Sequence, residues 1–243
     1  MNSFDRLPPG FLDCLFPRAC LVSGKPLKEV HPYRYLCSEE GERILHVRAP
    51  HCRTCGHPFW GAVAEDQTCP HCLELRPAFG EGKTATLMQG PARVLIHELK
   101  YRRGLYVIPD LVNLARRSKG FLDFLEGGCL VPVPLHRRRR SQRGFNQSLE
   151  LARAVSKEVC GCGLAELLVR TRYTRTQTRL RRSERQDNMR GAFRMRRGIV
   201  PDPDVRYVLF DDVFTTGATL NACARVLKGA GAERVDIATF CHG

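Results

Sequence analysis

VLFDDVFTTGATL, Val208 to Leu220, is the stretch whose reading decides the fold. The apolar run Tyr207–Phe210 predicts a short buried strand, and the Gly-containing polar loop after it predicts a turn into a helix. In an open α/β sheet ligands sit beyond the carboxyl ends of the strands, so Asp211 and Asp212 stand where a ligand would bind. Two adjacent carboxylates suit acceptance of hydrogen bonds from neighbouring ribose hydroxyls. Thr215, Thr216, Gly217, Ala218 and Thr219 form the turn, with Gly217 allowing unusual backbone angles and close approach. Amides and hydroxyls at the following helix N-terminus make a phosphate cradle. An acidic turn with a threonine cap is the plain alternative; the order strand, acids, threonines, glycine, helix favours the site.

Working outward, a helix is expected from about Thr219 to Gly229 and a closing strand over Arg234–Phe240. Upstream, Cys129–Leu135 reads as a strand ending at Pro132 and Pro134, followed by a basic loop and a helix from about Asn146 to Val159. Leu167–Arg172 reads as a further strand. Pro91 suits the first turn of a helix through ARVLIHELKY, and Leu105–Arg117 reads as a second helix. This alternation predicts an α/β fold, a parallel sheet flanked by helices. Residues 1–80, rich in Cys, Pro and Gly and without clear periodicity, form a separate small module, and residues 88–243 the main domain. No long internal repeat is evident.

The chain has 243 residues and 12 cysteines. It has no apolar run of the ~18 residues that a membrane span needs, and the opening MNSFDRLPPG lacks the apolar core of a secretory signal. A cytoplasmic protein without membrane insertion is expected, and there clustered thiols bind metal rather than pair as disulfides. Cys52-Arg-Thr-Cys55 and Cys69-Pro-His-Cys72 supply two C-x2-C pairs, the pattern of a closed tetrahedral Zn²⁺ site in a ribbon-like module. His51, His57 and His71 are read as surface residues or neighbours of that site. Cys129, Cys160, Cys162, Cys223 and Cys241 are read as ordinary thiols. The formal net charge is +14, and residues 137–197 hold 18 Lys and Arg against 5 Asp and Glu. Anionic partners follow from that block.

The Val208–Leu220 stretch closely resembles the PRPP-binding motif of type I phosphoribosyltransferases. The resemblance implies that Asp211 and Asp212 contact the ribose hydroxyls and that Thr215–Thr219 hold the 5′-phosphate of PRPP, with Mg²⁺ bridging pyrophosphate and ribose oxygens. Phe214 stands where that motif is usually small or aliphatic. Taken with VPVPLHRRRRSQRGFNQSLELA, RTRYTRTQTRLRRSERQDNMRGAF and the Cys-rich N-terminus, the chain resembles the ComF family, which is linked to competence and DNA uptake in bacteria. By that resemblance Pro134–Gln147 is the pyrophosphate loop, with Arg143, Gly144, Asn146 and Gln147 as its residues; Asn146 and Gln147 also suit fixing the loop or capping the helix. Thr171–Asn188 resembles the family's mobile loop, where Gln177, Arg185 and Asn188 fit the pattern, and Lys100 also matches. ComF-like proteins can carry an earlier set of paired cysteines; the matching positions here read Cys20-Leu-Val-Ser23 and Cys37-Ser-Glu-Glu40, with Cys14 nearby. Two functions follow. One is a Mg-dependent phosphoribosyltransferase with an open acceptor, acting in natural transformation; the other is a non-catalytic competence factor binding single-stranded DNA and other competence proteins. The arginine block favours the second, because a nucleic-acid backbone rewards many cations.

Overall fold

The computed structural model of the chain describes residues 18–27, 32–61, 65–173 and 191–243. In chain order, two short helices, α1 (Ser38–Glu42) and α2 (Pro70–Leu75), precede strand β1 (Gly82–Leu87). Helices α3 (Gly90–Tyr101) and α4 (Ile108–Arg117) lead to β2 (Cys129–Pro132), α5 (Arg137–Arg143), α6 (Gln147–Ser156) and β3 (Gly163–Leu164). β4 (Leu168–Arg170), β5 (Phe193–Met195), β6 (Arg206–Phe214), α7 (Ala218–Gly229) and β7 (Arg234–His242) complete the order.

The main sheet is parallel, with strand order β1-β7-β6-β2-β3. Its central strands β6 and β7 are buried on both faces, which is why YVLF and VDIATF read as near-continuous apolar runs. On one face Phe210, Phe240 and Phe121 form a ring cluster, with centroids 5.7 and 6.0 Å apart, beneath Leu95, Leu99, Leu111 and Leu114 of α3 and α4. On the other face Leu209 and Ile237 pack against Leu220, Cys223 and Leu227 of α7.

Several expectations change. β6 does not stop at Phe210: β7 continues beside it, pairing Asp211 with Thr239 and Phe214 with His242, so both acids lie within the strand. Gly82–Leu87, outside both expected domains, is the edge strand β1 and pairs with β7 from Gly82↔Ile237 to Leu87↔His242. The Leu167–Arg172 strand leaves the main sheet: β4 pairs antiparallel with β5 as a two-stranded ribbon, and Leu168 and Phe193 are buried with Cys223 and Ala224 of α7. The second helix opens as a 3-10 turn at Leu105–Val107, and Pro109 then occupies the first turn of α4, where its missing N–H is not needed.

The N-terminal residues form a repeat that extends the match between the two sets of paired-cysteine positions. Cys20, Ser23, Gly24, Pro26, Cys37 and Glu40 recur 32 positions later as Cys52, Cys55, Gly56, Pro58, Cys69 and Cys72. The copies share backbone geometry: bridges Ala19↔Pro26 and His51↔Pro58, Gly24 N→Cys20 O and Gly56 N→Cys52 O both at 2.8 Å, and φ of 71° and 74° at the two glycines. Both copies end in a short helix, α1 and α2. In the first copy Ser23 and Glu40 replace two thiols, and Glu40 accepts both its contacts from Arg43 at 2.9 and 3.1 Å. That copy is held instead by burial of Cys20, Tyr33, Leu36 and Cys37 against α3 and α4. The buried Asp110 carboxylate of α4 further accepts the Arg34 and Tyr35 amides at 2.6 and 2.8 Å.

Candidate functional site

The site forms where β6 outruns β2. Pro132↔Phe210 is the last pairing between them, so Asp211 and Asp212 emerge at the carboxyl edge of the sheet. Asp212 is buried and ion-paired with Lys100 at the C-terminal end of α3, Nζ to Oδ1 2.9 Å, with side chains 5% and 17% exposed. Burial alone would lower the Lys100 pKa, but attraction to Asp212 outweighs it and the net shift is upward. Lys100, although at a helix end where it could offset the dipole, is thus paired directly with an acid. Asp211 accepts a hydrogen bond from Ser148 Oγ of α6 at 2.7 Å and from the Asp212 amide at 2.9 Å. Burial, followed by the charge of Asp212, pushes Asp211 up to about 7, against the pull of Ser148 and Lys100.

This upward shift gives a signed prediction. Between the ordinary carboxylate value of 3.8 and about 7, native Asp211 keeps a proton that the unfolded chain has lost. Stability therefore falls as pH rises through that window, by about 1–3 kcal/mol. Asp211→Asn flattens the slope, measured by urea denaturation at about pH 5 and about pH 8; an unchanged slope would place the titrating group elsewhere.

The turn beyond β6 is built for close approach. Gly217 adopts φ 68° at the N-cap of α7. A Cβ there would meet Phe214 Cζ at 2.8 Å and Leu75 Cδ2 at 2.9 Å. The first amides of α7 have no intrahelical acceptor and face the turn of Thr215–Thr219. Across the crevice, Arg143 lies over the Tyr101 ring at 5.6 Å, and its charge acts on Lys100. Gly144 ends α5 with φ 86°. Asn146 Nδ2 donates to Val133 O at 3.1 Å, which fixes the loop, and Gln147 is buried. Three buried oxygens, Asp212 Oδ2, Asn146 Oδ1 and Gln147 Oε1, lack a donor among the described residues. Buried acceptors left in this state suit hydroxyl groups or the waters of a hard cation.

Beside the loop after β2 lies a cavity of about 420 Å³, lined by Arg137 and Arg140 of α5, Arg170 of β4 and Arg194 and Arg196 around β5. Among the described residues Glu166 is its one acid, and it pairs with Arg196 at 2.8 Å. Burial and the nearby Arg139 lower the Arg170 pKa, so the cluster holds positive charges together at an energetic cost. Arg137 and Arg140 line this cavity while staying exposed to solvent. Sequence reading missed Arg170, Arg194, Arg196 and Ser148; a basic residue every other position in Arg194-Met-Arg196 was the available signal. Gln177, Arg185 and Asn188 lie outside the described residues.

In the second ribbon copy, next to the Gly217 turn, the sulfurs of Cys52, Cys55, Cys69 and Cys72 lie within 4.8 Å of one another and all four residues are buried. The Cys69 amide donates to Cys52 Sγ at 3.3 Å, and hydrogen bonds from the Cys55 and Cys72 thiols hold Cys52 toward the thiolate. Four convergent buried thiols with amide support fit a structural zinc. Cys20 and Cys37 join no such cluster among the described residues, and Cys14 lies outside them. His51 is buried, accepting from Lys83 Nζ at 2.7 Å, while His57 and His71 flank the zinc ligands. No helix among the described residues is long and apolar enough to cross a membrane.

With this geometry in view, two family models match: a phosphoribosyl transferase domain over residues 146–243 and a double zinc ribbon domain over residues 11–73. The "DNA utilization protein YhgH" of Escherichia coli K12 is 34% identical over 198 residues, covering 79% of this chain and 83% of that protein. The chain belongs to the ComF family. "Competence protein F" of Haemophilus influenzae is 28% identical to this ComF protein over 206 residues, 83% of this chain and 88% of that protein. "Competence protein ComFC" of Streptococcus pneumoniae is 34% identical over 110 residues, 45% of each chain. Among solved structures, a purine phosphoribosyltransferase from Pyrococcus horikoshii shares 17% identity with a TM-score of 0.28, covering 58% of this chain and 71% of that one. The parallel sheet is thus a phosphoribosyltransferase-type domain preceded by a double zinc ribbon, one of whose copies keeps all four cysteines.

Proposed function

We propose that this ComF protein binds PRPP with Mg²⁺ and transfers its phosphoribosyl group, in the service of DNA uptake. The observation that carries the reading is the Asp211–Asp212 pair, held by Ser148 and Lys100 at the mouth of the Gly217 turn. Asp211 and Asp212 accept from the ribose hydroxyls, and the amides of Thr215–Thr219 take the 5′-phosphate. Arg143 and the arginines of the cavity take the diphosphate end, where a planar guanidinium binds two oxygens at once. The unpartnered Asp212 Oδ2 would hold a magnesium-bound water, and the ion would supply charge neutralisation of the diphosphate. Charge stabilisation and positioning provide the rate, so no side-chain nucleophile is required. The relatives named for competence and DNA utilization support the cellular role.

The test is isothermal titration of the zinc-loaded full chain with PRPP, with and without Mg²⁺, beside pyrophosphate and ribose 5-phosphate. Tight binding of PRPP that needs magnesium, with weaker binding of each half, supports the site. No heat from any of the three overturns it.

A second reading, a single-stranded-DNA-binding scaffold working with other competence proteins, is favoured by one feature. Tyr173 lies with the guanidinium groups of Arg138 and Arg139 at 5.4 and 5.9 Å and the His136 ring at 5.3 Å. Aromatic rings among arginines suit stacked bases and phosphates. On this reading an oligonucleotide binds with a steep salt dependence, and Tyr173→Ala weakens it by about 1–3 kcal/mol while PRPP binding is unchanged. An affinity flat in salt would exclude backbone contacts.

A further inference from the structure

Both halves of the four-cysteine site reach the phosphate turn through aromatic rings. On one side, His57 follows the Cys52–Cys55 pair, and its ring lies 4.8 Å from that of His242 at the end of β7. His242 stacks on Phe214 at the end of β6, 5.0 Å between centroids and 26° between planes. On the other side, His71 sits between Cys69 and Cys72, its ring edge-on to Phe214 at 6.2 Å. The same His71 donates through Nε2–H to the Thr216 carbonyl at 3.2 Å. Four rings, Phe214 among them, thus run from one pair of zinc ligands to the other.

The turn is gripped from the same side. Leu75, in the helix that carries Cys72, and the Phe214 ring both press on Gly217 so closely that a Cβ there would force them to shift. Two residues past that helix's C-cap, the Ala78 amide donates to Asn221 Oδ1 in the first turn of α7 at 2.9 Å. The peptide Thr216–Gly217, whose amides begin the phosphate cradle, is therefore fixed by residues that belong to the ribbon. This also explains Phe214, the residue out of place in the loop's sequence: an aliphatic side chain there would leave His71 and His242 without a shared ring.

We infer that the four-cysteine site is a positioning element of the phosphate turn, so that zinc occupancy and binding of a phosphorylated ribose at Thr215–Thr219 are thermodynamically coupled, with His71, Phe214 and Leu75 as the positioning residues. The inference rests on the reading of Thr215–Thr219 as a phosphate turn. Coupling between two sites is reciprocal, so a ligand that prefers the gripped turn also tightens zinc.

The experiment is an equilibrium competition for zinc between the full-length protein and a chromogenic chelator, with and without PRPP and Mg²⁺, beside PRPP titration of the same samples. In the wild type PRPP raises zinc affinity about fivefold, the worth of roughly one hydrogen bond. His71→Ala keeps one zinc per chain but loses this gain and weakens PRPP about fivefold, whereas His71→Gln, which retains an N–H donor, restores both. A purely structural role for His71 would lower zinc affinity equally with and without PRPP, and that result overturns the inference. So does a wild type that binds PRPP yet holds zinc equally in both conditions. A wild type that binds no PRPP at all overturns the phosphate-turn reading, and the coupling with it. Phe214→Val is a second probe; should it fold poorly, His71→Ala and the wild-type comparison decide alone.

Discussion

Replacing Asp211 and Asp212 together by asparagine is expected to weaken PRPP binding at least about 100-fold, because two charge-assisted hydrogen bonds to ribose hydroxyls are each worth about 1.5–3 kcal/mol. The double variant also strips Lys100 of its partner, and breaking a buried pair by removing one member is destabilising by about 3–5 kcal/mol. Asp211→Asn alone leaves the Lys100–Asp212 pair intact and keeps an acceptor for Ser148, so it isolates the ribose contact from the fold. Calorimetric titration of both variants, with circular dichroism as the folding control, is the measurement. A folded double variant that binds PRPP as the wild type does would remove the ribose assignment and leave the acids a structural role beside Lys100.

Stripping zinc is expected to lower the melting temperature by more than about 10 °C. Structural zinc contributes on the order of 10 kcal/mol in isolated fingers, and about 5 kcal/mol of it retained here would produce such a shift in a chain of this size. The reason lies in where the ribbon sits. Gly82 N donates to Arg53 O at 2.7 Å and Thr84 Oγ1 to Cys55 O at 3.0 Å, so the ribbon is seamed to edge strand β1. Without the ion, four buried thiols lose their common partner, and Leu75 and Phe79, buried against β6 and β7, lose their support. Cys55→Ser together with Cys72→Ser should reproduce the loss, read by differential scanning fluorimetry beside metal content per chain. A melting temperature unchanged with zinc gone would mean that packing and hydrogen bonds hold the second ribbon without the ion, as they hold the first.

The contrast between the two ribbons shows why some features were legible and others were not. Cys52, Cys55, Cys69 and Cys72 announce themselves because metal chemistry demands a fixed local spacing. The first ribbon keeps the same backbone with Ser23 and Glu40 in place of two thiols, so the repeat survives in geometry after its chemical signature has gone. Gly82–Leu87 carries glycine, lysine and threonines and no clear alternation; it is a strand because β7 offers it a partner. The Asp211–Gly217 motif was readable since strand, acids and turn follow one another directly.

What the sequence determined by itself was therefore local: the apolar run into two acids, the glycine that permits φ 68°, the thiol pairs, and the crowding of arginines between residues 137 and 197. Tertiary structure alone decided which of these meet. It set Lys100 on Asp212, gathered Arg170, Arg194 and Arg196 opposite α5 by antiparallel pairing, and brought His71 to Thr216 across 145 positions of chain. Such contacts depend on how helices and strands pack around a shared core, and the spacing of residues along one segment carries no record of that.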